Sequence, residues 1–443
     1  MRIKERTPMR KIAIISDHAS PLASLGSVDN GGQNIYVKNI ARVLASKGYE
    51  IDIFTRKDHA SLPAFAVMEP GIKVIYVPAG PPRYIEKEKL LSHVEAFSDF
   101  LVDYFARQET LYDCIHANFF MSGLAAIKLK ARYDIPFFIT FHALGRVRRM
   151  HQLEKDGFPD KRFQIEDEIV QRADGLIAEC PQDRQDLIDH YAADPQKISV
   201  IPCGVDLQEL KPVEKETARA LLNLPKDEKV ILQLGRLVPR KGIDTVIQAL
   251  SLLKKNHHMK VRLLIVGGPP KTEGLEQVPE IARLKKIALD ERVSDMVVFC
   301  GQAARDEIKY YYSAADIFVT TPWYEPFGIT PLEAMACAKP VIGSRVGGIP
   351  FSVAEGKTGL LIPPKTPPAL AEALGYFYRN PDTIASFGKK GLARVRKYFT
   401  WKKVCGSLES WLKEKTEASQ YAFHSVPERV FAMRKPFFSS EEA

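Results

Sequence analysis

Long hydrophobic runs are missing from this chain. No apolar stretch approaches the roughly 18 residues that a helix needs to cross a bilayer. The basic N-terminus from Arg2 to Arg10 precedes only Ile12-Ala13-Ile14-Ile15, too short for the apolar core of a signal peptide. That run reads as a first β-strand, and the expectation is a cytoplasmic protein. Cysteine is sparse: Cys114, Cys180, Cys203, Cys300, Cys337 and Cys405 are scattered, mostly in apolar surroundings, and no pair has metal-ligand spacing. They read as reduced core residues. The histidines form no His-x3-His, and the adjacent His257 and His258 face different ways on a helix end. Asp-x-Asp, which would hold a divalent cation on a sugar nucleotide, is absent, so no metal is expected. Also absent is the Gly-x-Gly-x-x-Gly of a dinucleotide site. Gly356-Lys357-Thr358 has the ending of a phosphate loop, but Phe351 stands where its first glycine belongs and no helix follows.

What is present is a soluble, globular composition, with 45% hydrophobic and 26% charged residues over 443 positions. That length suggests two or three domains. The net charge of +9 points to an anionic partner. Nucleotides, phosphorylated acceptors and acidic lipid all qualify. No nucleic-acid motif is recognisable, so nucleic acid is not expected, and peripheral membrane contact is left open.

The chain alternates strand and helix. Lys11–Ser16 leads through a loop holding Gly26, Gly31 and Gly32 into helix Asn34–Ser46 and strand Glu50–Phe54, the order of a parallel, doubly wound sheet. Strand Lys73–Val77, helix Lys87–Arg107, strand Cys114–Ala117, helix Phe120–Arg132, strand Phe137–Thr140, a long helix through Arg172, strand Gly175–Ala178 and helix Gln182–Tyr191 continue it. The theme restarts at strand Val230–Leu234. The polar stretch from Gly204 to Pro225 marks the boundary. The expected division is 1–205, 206–398, a helix over 399–418 that crosses back to the first domain, and a weakly patterned tail over 419–443.

The most informative stretch runs from Trp323 to Ile342. After the buried strand Ile317–Thr321, Glu325-Pro326-Phe327-Gly328 forms an irregular loop and a helix begins at Ile329, with Pro331 tolerated in its first turn. Glu325 and Glu333 therefore bracket a helix N-terminus, where amides and the dipole favour an anion and the carboxylates suit sugar hydroxyls. A second signal is Gly235-Arg236-Leu237-x3-Lys241-Gly242, two cations between a strand and a helix.

Together these motifs resemble glycosyltransferase family 4, the retaining enzymes that use nucleotide sugars and carry Glu-x7-Glu. The resemblance spans roughly Lys11 to Tyr398 and is strongest toward the branch of sucrose-phosphate synthase, sucrose synthase and inositol-phosphate N-acetylglucosaminyltransferase. Asp29-Asn30-Gly31-Gly32-Gln33, His142-Ala143-Leu144-Gly145 and Pro202-Cys203-Gly204-Val205-Asp206 carry that likeness. It implies the GT-B fold: α/β, two Rossmann-like doubly wound parallel-sheet domains facing a central cleft. It implies a metal-independent hexosyltransferase without a cofactor, whose partners are a nucleotide-sugar donor such as UDP-glucose and a sugar or sugar-phosphate acceptor, for instance a fructosyl compound.

By the same resemblance, Arg236 and Lys241 hold the diphosphate, Glu325 the transferred sugar and Glu333 the ribose. Gly31, Gly32, Gln33, Gly235, Phe327, Gly328 and Ile329 surround the donor, and His142 stands at the reaction centre. Lys87, His116, Phe119 and Arg162 are the acceptor positions. The chain departs from the family pattern at Ala338, Phe351 and Thr366. Phe119 and Ala143 stand where the inositol-phosphate enzymes have Tyr and Thr. Another GT-B activity, such as sugar-nucleotide epimerisation, and non-catalytic sugar-nucleotide binding are the competing classes. Release of free nucleoside diphosphate separates a transferase from a binding protein.

Overall fold

Parallel strands need crossover connections and are covered on both faces, so their sequences become continuous apolar runs. The runs read from the sequence obey this rule. The structure, a computed structural model, describes residues 10–23, 31–153, 156–257, 259, 261–269, 274 and 278–424. Asp29, Asn30, Gly26 and most of the tail after 419 lie outside them.

The first domain holds β1 (Lys11–Ile15), β2 (Glu50–Arg56), β3 (Phe65–Glu69), β4 (Ile72–Val77), β5 (Cys114–Asn118), β6 (Phe137–Thr140), β7 (Gly175–Ala178) and β8 (Ile198–Val200). They form an eight-stranded sheet in the order β3-β4-β2-β1-β5-β6-β7-β8. The second domain holds β9 (Lys229–Leu234), β10 (Val261–Val266), β11 (Val297–Gly301), β12 (Ile317–Thr320), β13 (Val341–Ser344) and β14 (Gly359–Ile362), ordered β11-β10-β9-β12-β13-β14. Every pairing is parallel except β3 with β4. In each sheet the chain reverses its lateral direction once, between β1 and β5 and between β9 and β12. Ligands of open α/β sheets bind at such switch points, beyond the carboxyl ends of the strands. Among the described residues no helix is long and apolar enough to cross a membrane.

Several elements differ from the sequence expectation. The antiparallel strand β3 was not expected. It is an edge strand with Phe65 and Val67 exposed, and only the Pro70-Gly71 turn before β4 announces it. The helix expected over Lys87–Arg107 divides into a 3-10 segment, Lys87–His93, and an α-helix, Val94–Ala106. The long helix ending at Arg172 is two, Gly145–Gln152 and Lys161–Arg172, with Pro159 between them.

The last helix runs from Trp401 to His424, beyond the limit read from the sequence. It lies on the first domain: Trp411 meets Phe138 edge-on at 5.3 Å, Trp401 meets Tyr36 at 5.9 Å, and Glu409 accepts from Tyr49 at 2.8 Å and from Lys47. Gly175 leaves the room for Trp411, since a Cβ there would come 2.5 Å from the indole ring. Gly175→Leu is therefore expected to cost about 1–3 kcal/mol, the range for overpacking a filled site, and to loosen the last helix. Calorimetry and limited proteolysis read this. An unchanged melting temperature and cleavage pattern would mean the helix does not depend on that contact.

Candidate active site

A cavity of about 320 Å³ opens between the carboxyl ends of the two sheets and takes its lining from both domains. On the second domain, the loops after β9 and β12 are locked together. Gly242 adopts φ +65°, and a Cβ there would run into the Thr321 carbonyl. Thr321 Oγ1 donates to the Gly242 carbonyl at 2.7 Å, and the Trp323 amide donates to the Arg240 carbonyl at 2.8 Å. Arg240 Nη1 in turn donates to the Tyr324 carbonyl at 2.9 Å. This seam places Lys241 directly on the Glu325 carboxylate, with Arg240 3.5 Å from the same oxygen.

Burial opposes ionisation of Glu325, but Lys241 and Arg240 outweigh it and bring its pKa down to about 2. Burial, with help from Arg240 and Arg236, brings Lys241 down to about 8 despite its carboxylate partner. Arg236 stands near this pair as well, so three cationic side chains gather around the Glu325 carboxylate at the cavity. Gly328 opens helix Ile329–Ala336 at φ +86°, directing that helix's N-terminus to the same place. Glu333, one turn on, is 2% exposed and lines the cavity.

The first domain supplies the opposite wall. Gly31, Gly32 and Gln33 start helix Gly32–Ala45 at the cavity edge. Two residues at strand ends hold conformations unusual for a side-chain-bearing residue: Phe119 after β5 at φ 77° and His142 after β6 at φ 57°. Both line the cavity, and such backbone strain persists where the surroundings enforce it. The His142 ring is clamped, with Nδ1 3.2 Å from Glu179 Oε1 and Nε2 3.0 Å from Asn118 Oδ1. Asn118 is oriented by its own Nδ2, which donates to the His116 carbonyl at 3.2 Å. Burial would raise the pKa of Glu179, but His142 and a bond from Cys203 pull it below the usual carboxylate value.

Of the residues singled out from sequence, His142, Arg236, Lys241, Glu325, Gly31, Gly32, Gln33, Gly235, Phe327, Gly328, Ile329, Glu333, Lys87 and Phe119 all line this cavity. Two expected acceptor residues do not. His116 is 1% exposed, bonds Thr140 Oγ1 at 3.0 Å and is pushed down to about 3 by burial and by His142, so it is a neutral support beneath the wall. Arg162 is fully buried on Glu166 at 2.7 Å and packs under the rings of Phe119, Phe120 and Phe158. His116 sits inside strand β5, whose place in a parallel sheet already implied burial, whereas Arg162 was drawn inside by strong partners that nothing in its local pattern announced.

Other lining residues escaped the sequence reading. Arg240 stood beside Lys241 in the same motif, and a second cation in a phosphate-facing loop was the signal for it. Glu179 follows β7 as His142 follows β6, so the strand-end rule would have found it. Arg305 and Arg148 had no local signal.

Residues 30–209 match the family model described as Glycosyltransferase Family 4, and residues 214–394 match Glycosyl transferases group 1. A D-inositol 3-phosphate glycosyltransferase of Acidothermus cellulolyticus is 36% identical over 426 residues, covering 95% of this chain and 94% of that protein. The chain belongs to glycosyltransferase family 4. The D-inositol 3-phosphate glycosyltransferase 2 of Catenulispora acidiphila is 34% identical over 88% of this chain and 91% of its own length. Among solved structures, sucrose-phosphate synthase from Thermosynechococcus elongatus superposes with a TM-score of 0.85 at 34% identity, covering 92% of this chain and all of that one. Anabaena HepE, with a TM-score of 0.70 at 20% identity, shares the fold. This chain is a glycosyltransferase of the GT-B fold.

In a glycosyltransferase, kcat/KM follows ionisations of the free enzyme. Donor kcat/KM is expected to fall as pH rises through about 8, where Lys241 loses its charge. Lys241→Arg, which stays cationic, should move that limb upward. Lys241→Ala or Arg236→Ala should cut turnover by about 10², as loss of a transition-state charge contact does. A level native profile through that range, with near-normal alanine variants, would remove the diphosphate role.

Proposed function

We propose that this enzyme transfers a hexosyl unit, with retention, from a nucleoside diphosphate sugar such as a UDP-sugar to a sugar or sugar-phosphate acceptor. The observation that carries the reading is the cationic cluster of Arg236, Arg240 and Lys241, facing a helix N-terminus across from His142 in one cleft. Glycosyl transfer requires a diphosphate leaving group to be neutralised, the sugar positioned and the acceptor hydroxyl brought to the anomeric carbon. The cluster meets the first need. On this reading Glu325 binds the transferred sugar and, by holding Lys241, keeps the ammonium aimed at the leaving phosphate. Glu333 binds the ribose.

The acceptor enters along Lys87, Phe119 and Ala143. The named relatives act on inositol 3-phosphate, and the close structural neighbour is named for sucrose phosphate, so a phosphorylated acceptor is favoured. Lys87 supplies a charge for it, whereas Phe119 offers an apolar surface and no hydroxyl. The pocket thus fits an anionic sugar read by charge and shape. No metal or cofactor is expected to take part.

Calorimetry with UDP separates the two carboxylates. Glu333→Ala should weaken binding about tenfold by loss of hydrogen bonds to the ribose. Glu325→Ala should spare it, since a bound diphosphate takes over as the counter-charge of Lys241, while cutting turnover by about 10². The reverse pattern would exchange or abolish these roles.

A turnover panel of UDP-glucose with fructose, fructose 6-phosphate and D-inositol 3-phosphate, run with and without EDTA, tests the rest. Lys87→Ala should raise KM about tenfold for phosphorylated acceptors only, since a phosphate gains most from a charge-assisted donor. EDTA should have no effect. Equal losses on neutral and phosphorylated sugars would place the acceptor elsewhere, and loss of activity in EDTA restored by Mg²⁺ would overturn the metal-free reading.

A further inference from the structure

Glu333 is already held on both oxygens. Arg305 Nη1 donates to its Oε1 at 2.5 Å, and the Tyr312 hydroxyl donates to its Oε2 at 2.9 Å. An ionised carboxylate presents about four lone-pair sites. With one taken on each oxygen, one remains on each. That is the arrangement needed to accept from two vicinal hydroxyls at once.

Arg305 is itself held from behind. Its Nε donates at 3.1 Å to Glu209, on the segment joining the two sheets. Glu209 lies 3.9 Å from Arg42 of the helix Gly32–Ala45, and Arg42 pairs with Glu69 of β3 at 2.5 Å. Burial disfavours the charge on Arg305, but Glu333 and Glu209 together hold it above the ordinary arginine value. The fork of a guanidinium can serve two carboxylates in fixed directions, which a lysine cannot do.

We propose that Arg305 is a positioning residue for nucleotide recognition: supported by Glu209 and assisted by Tyr312, it turns Glu333 so that one free lone pair on each carboxylate oxygen meets the 2′- and 3′-hydroxyls of the ribose. This rests on the reading that Glu333 binds the ribose. It adds a specificity device that the Glu-x7-Glu spacing alone does not contain. A carboxylate released from Arg305 and Tyr312 can rotate, and it then loses the paired acceptor geometry while keeping its charge.

The test is discrimination rather than affinity alone. Calorimetry would compare UDP, ADP and GDP with their 2′,3′-dideoxy forms, following whichever base binds tightest. The wild type should prefer the ribose form by about tenfold or more, as a site built to bond a hydroxyl does when the hydroxyl is missing. In Arg305→Met the ratio should fall toward one, through weaker binding of the ribose form alone. Tyr312→Phe should lower the ratio partway, and it serves if Arg305→Met does not fold.

If Arg305→Met or Tyr312→Phe weakens both forms equally and keeps the ratio, the proposal is overturned, since that is the signature of a direct phosphate contact or of general destabilisation. Glu333→Ala is the control. If that variant keeps the preference for ribose, the reading of Glu333 fails and the inference falls with it. If it loses the preference while Arg305→Met retains it, only the positioning role of Arg305 is lost.

Discussion

The second-domain wall of the cleft is built on the ion pair between Lys241 and Glu325. Two groups more than eighty positions apart in sequence are brought into contact by the seam between the β9 and β12 loops, and each alters the other's chemistry. Buried without Glu325, the ammonium would lose its proton more readily. Without Lys241 and Arg240, the buried carboxylate would take one up. The pair keeps both charged in a place where neither would be stable alone, with Arg240 and Arg236 close by.

The first domain uses a different device. It offers few charges to the cavity and relies on fixed backbone and clamped rings. Phe119 and His142 hold φ values that cost free energy at residues with side chains, and their neighbours over-determine them. Around His142, Asn118 and Glu179 occupy both ring nitrogens, and His116 lies neutral beneath, bonded to Thr140. Together these residues make a stiff wall on that side of the cavity. The last helix completes it by laying Trp401 against Tyr36 and Trp411 against Phe138, which ties the end of the chain to the domain where it began.

Charge also runs between the domains. Glu333, Arg305, Glu209, Arg42 and Glu69 alternate in sign from the second-domain wall of the cavity to the outer strand of the first sheet. His151 stacks on Tyr324 at 5.1 Å across the cleft, and the Cys180 thiol donates to the Pro326 carbonyl at 3.4 Å. The Glu-Pro-Phe-Gly loop is therefore touched from the first domain at Pro326 and at its immediate neighbour Tyr324, so the relative position of the domains bears directly on that loop.

Local pattern was enough to determine the alternation of apolar strands with amphipathic helices, the two-domain parallel architecture, and the loops that face the cleft. These are consequences of neighbours in sequence: a β-branched run, a Gly-Pro-rich exit, a helix start. It also placed Glu325, Glu333, Arg236 and Lys241 at strand ends and a helix start, and the resemblance to glycosyltransferase family 4 then singled them out as site residues. Edge strand β3 and the divided helices were missed where the periodic signal was short or broken by proline. What only the tertiary structure decided was burial and partnership. Arg162 and His116 had the composition of pocket residues, yet packing put them under the wall. Arg305 and Glu209 had no motif at all, and they acquire a role through the charged partners that approach them from distant parts of the chain. A hydrogen bond or ion pair between distant positions leaves no periodicity in the sequence, so its existence is settled only when the chain has folded.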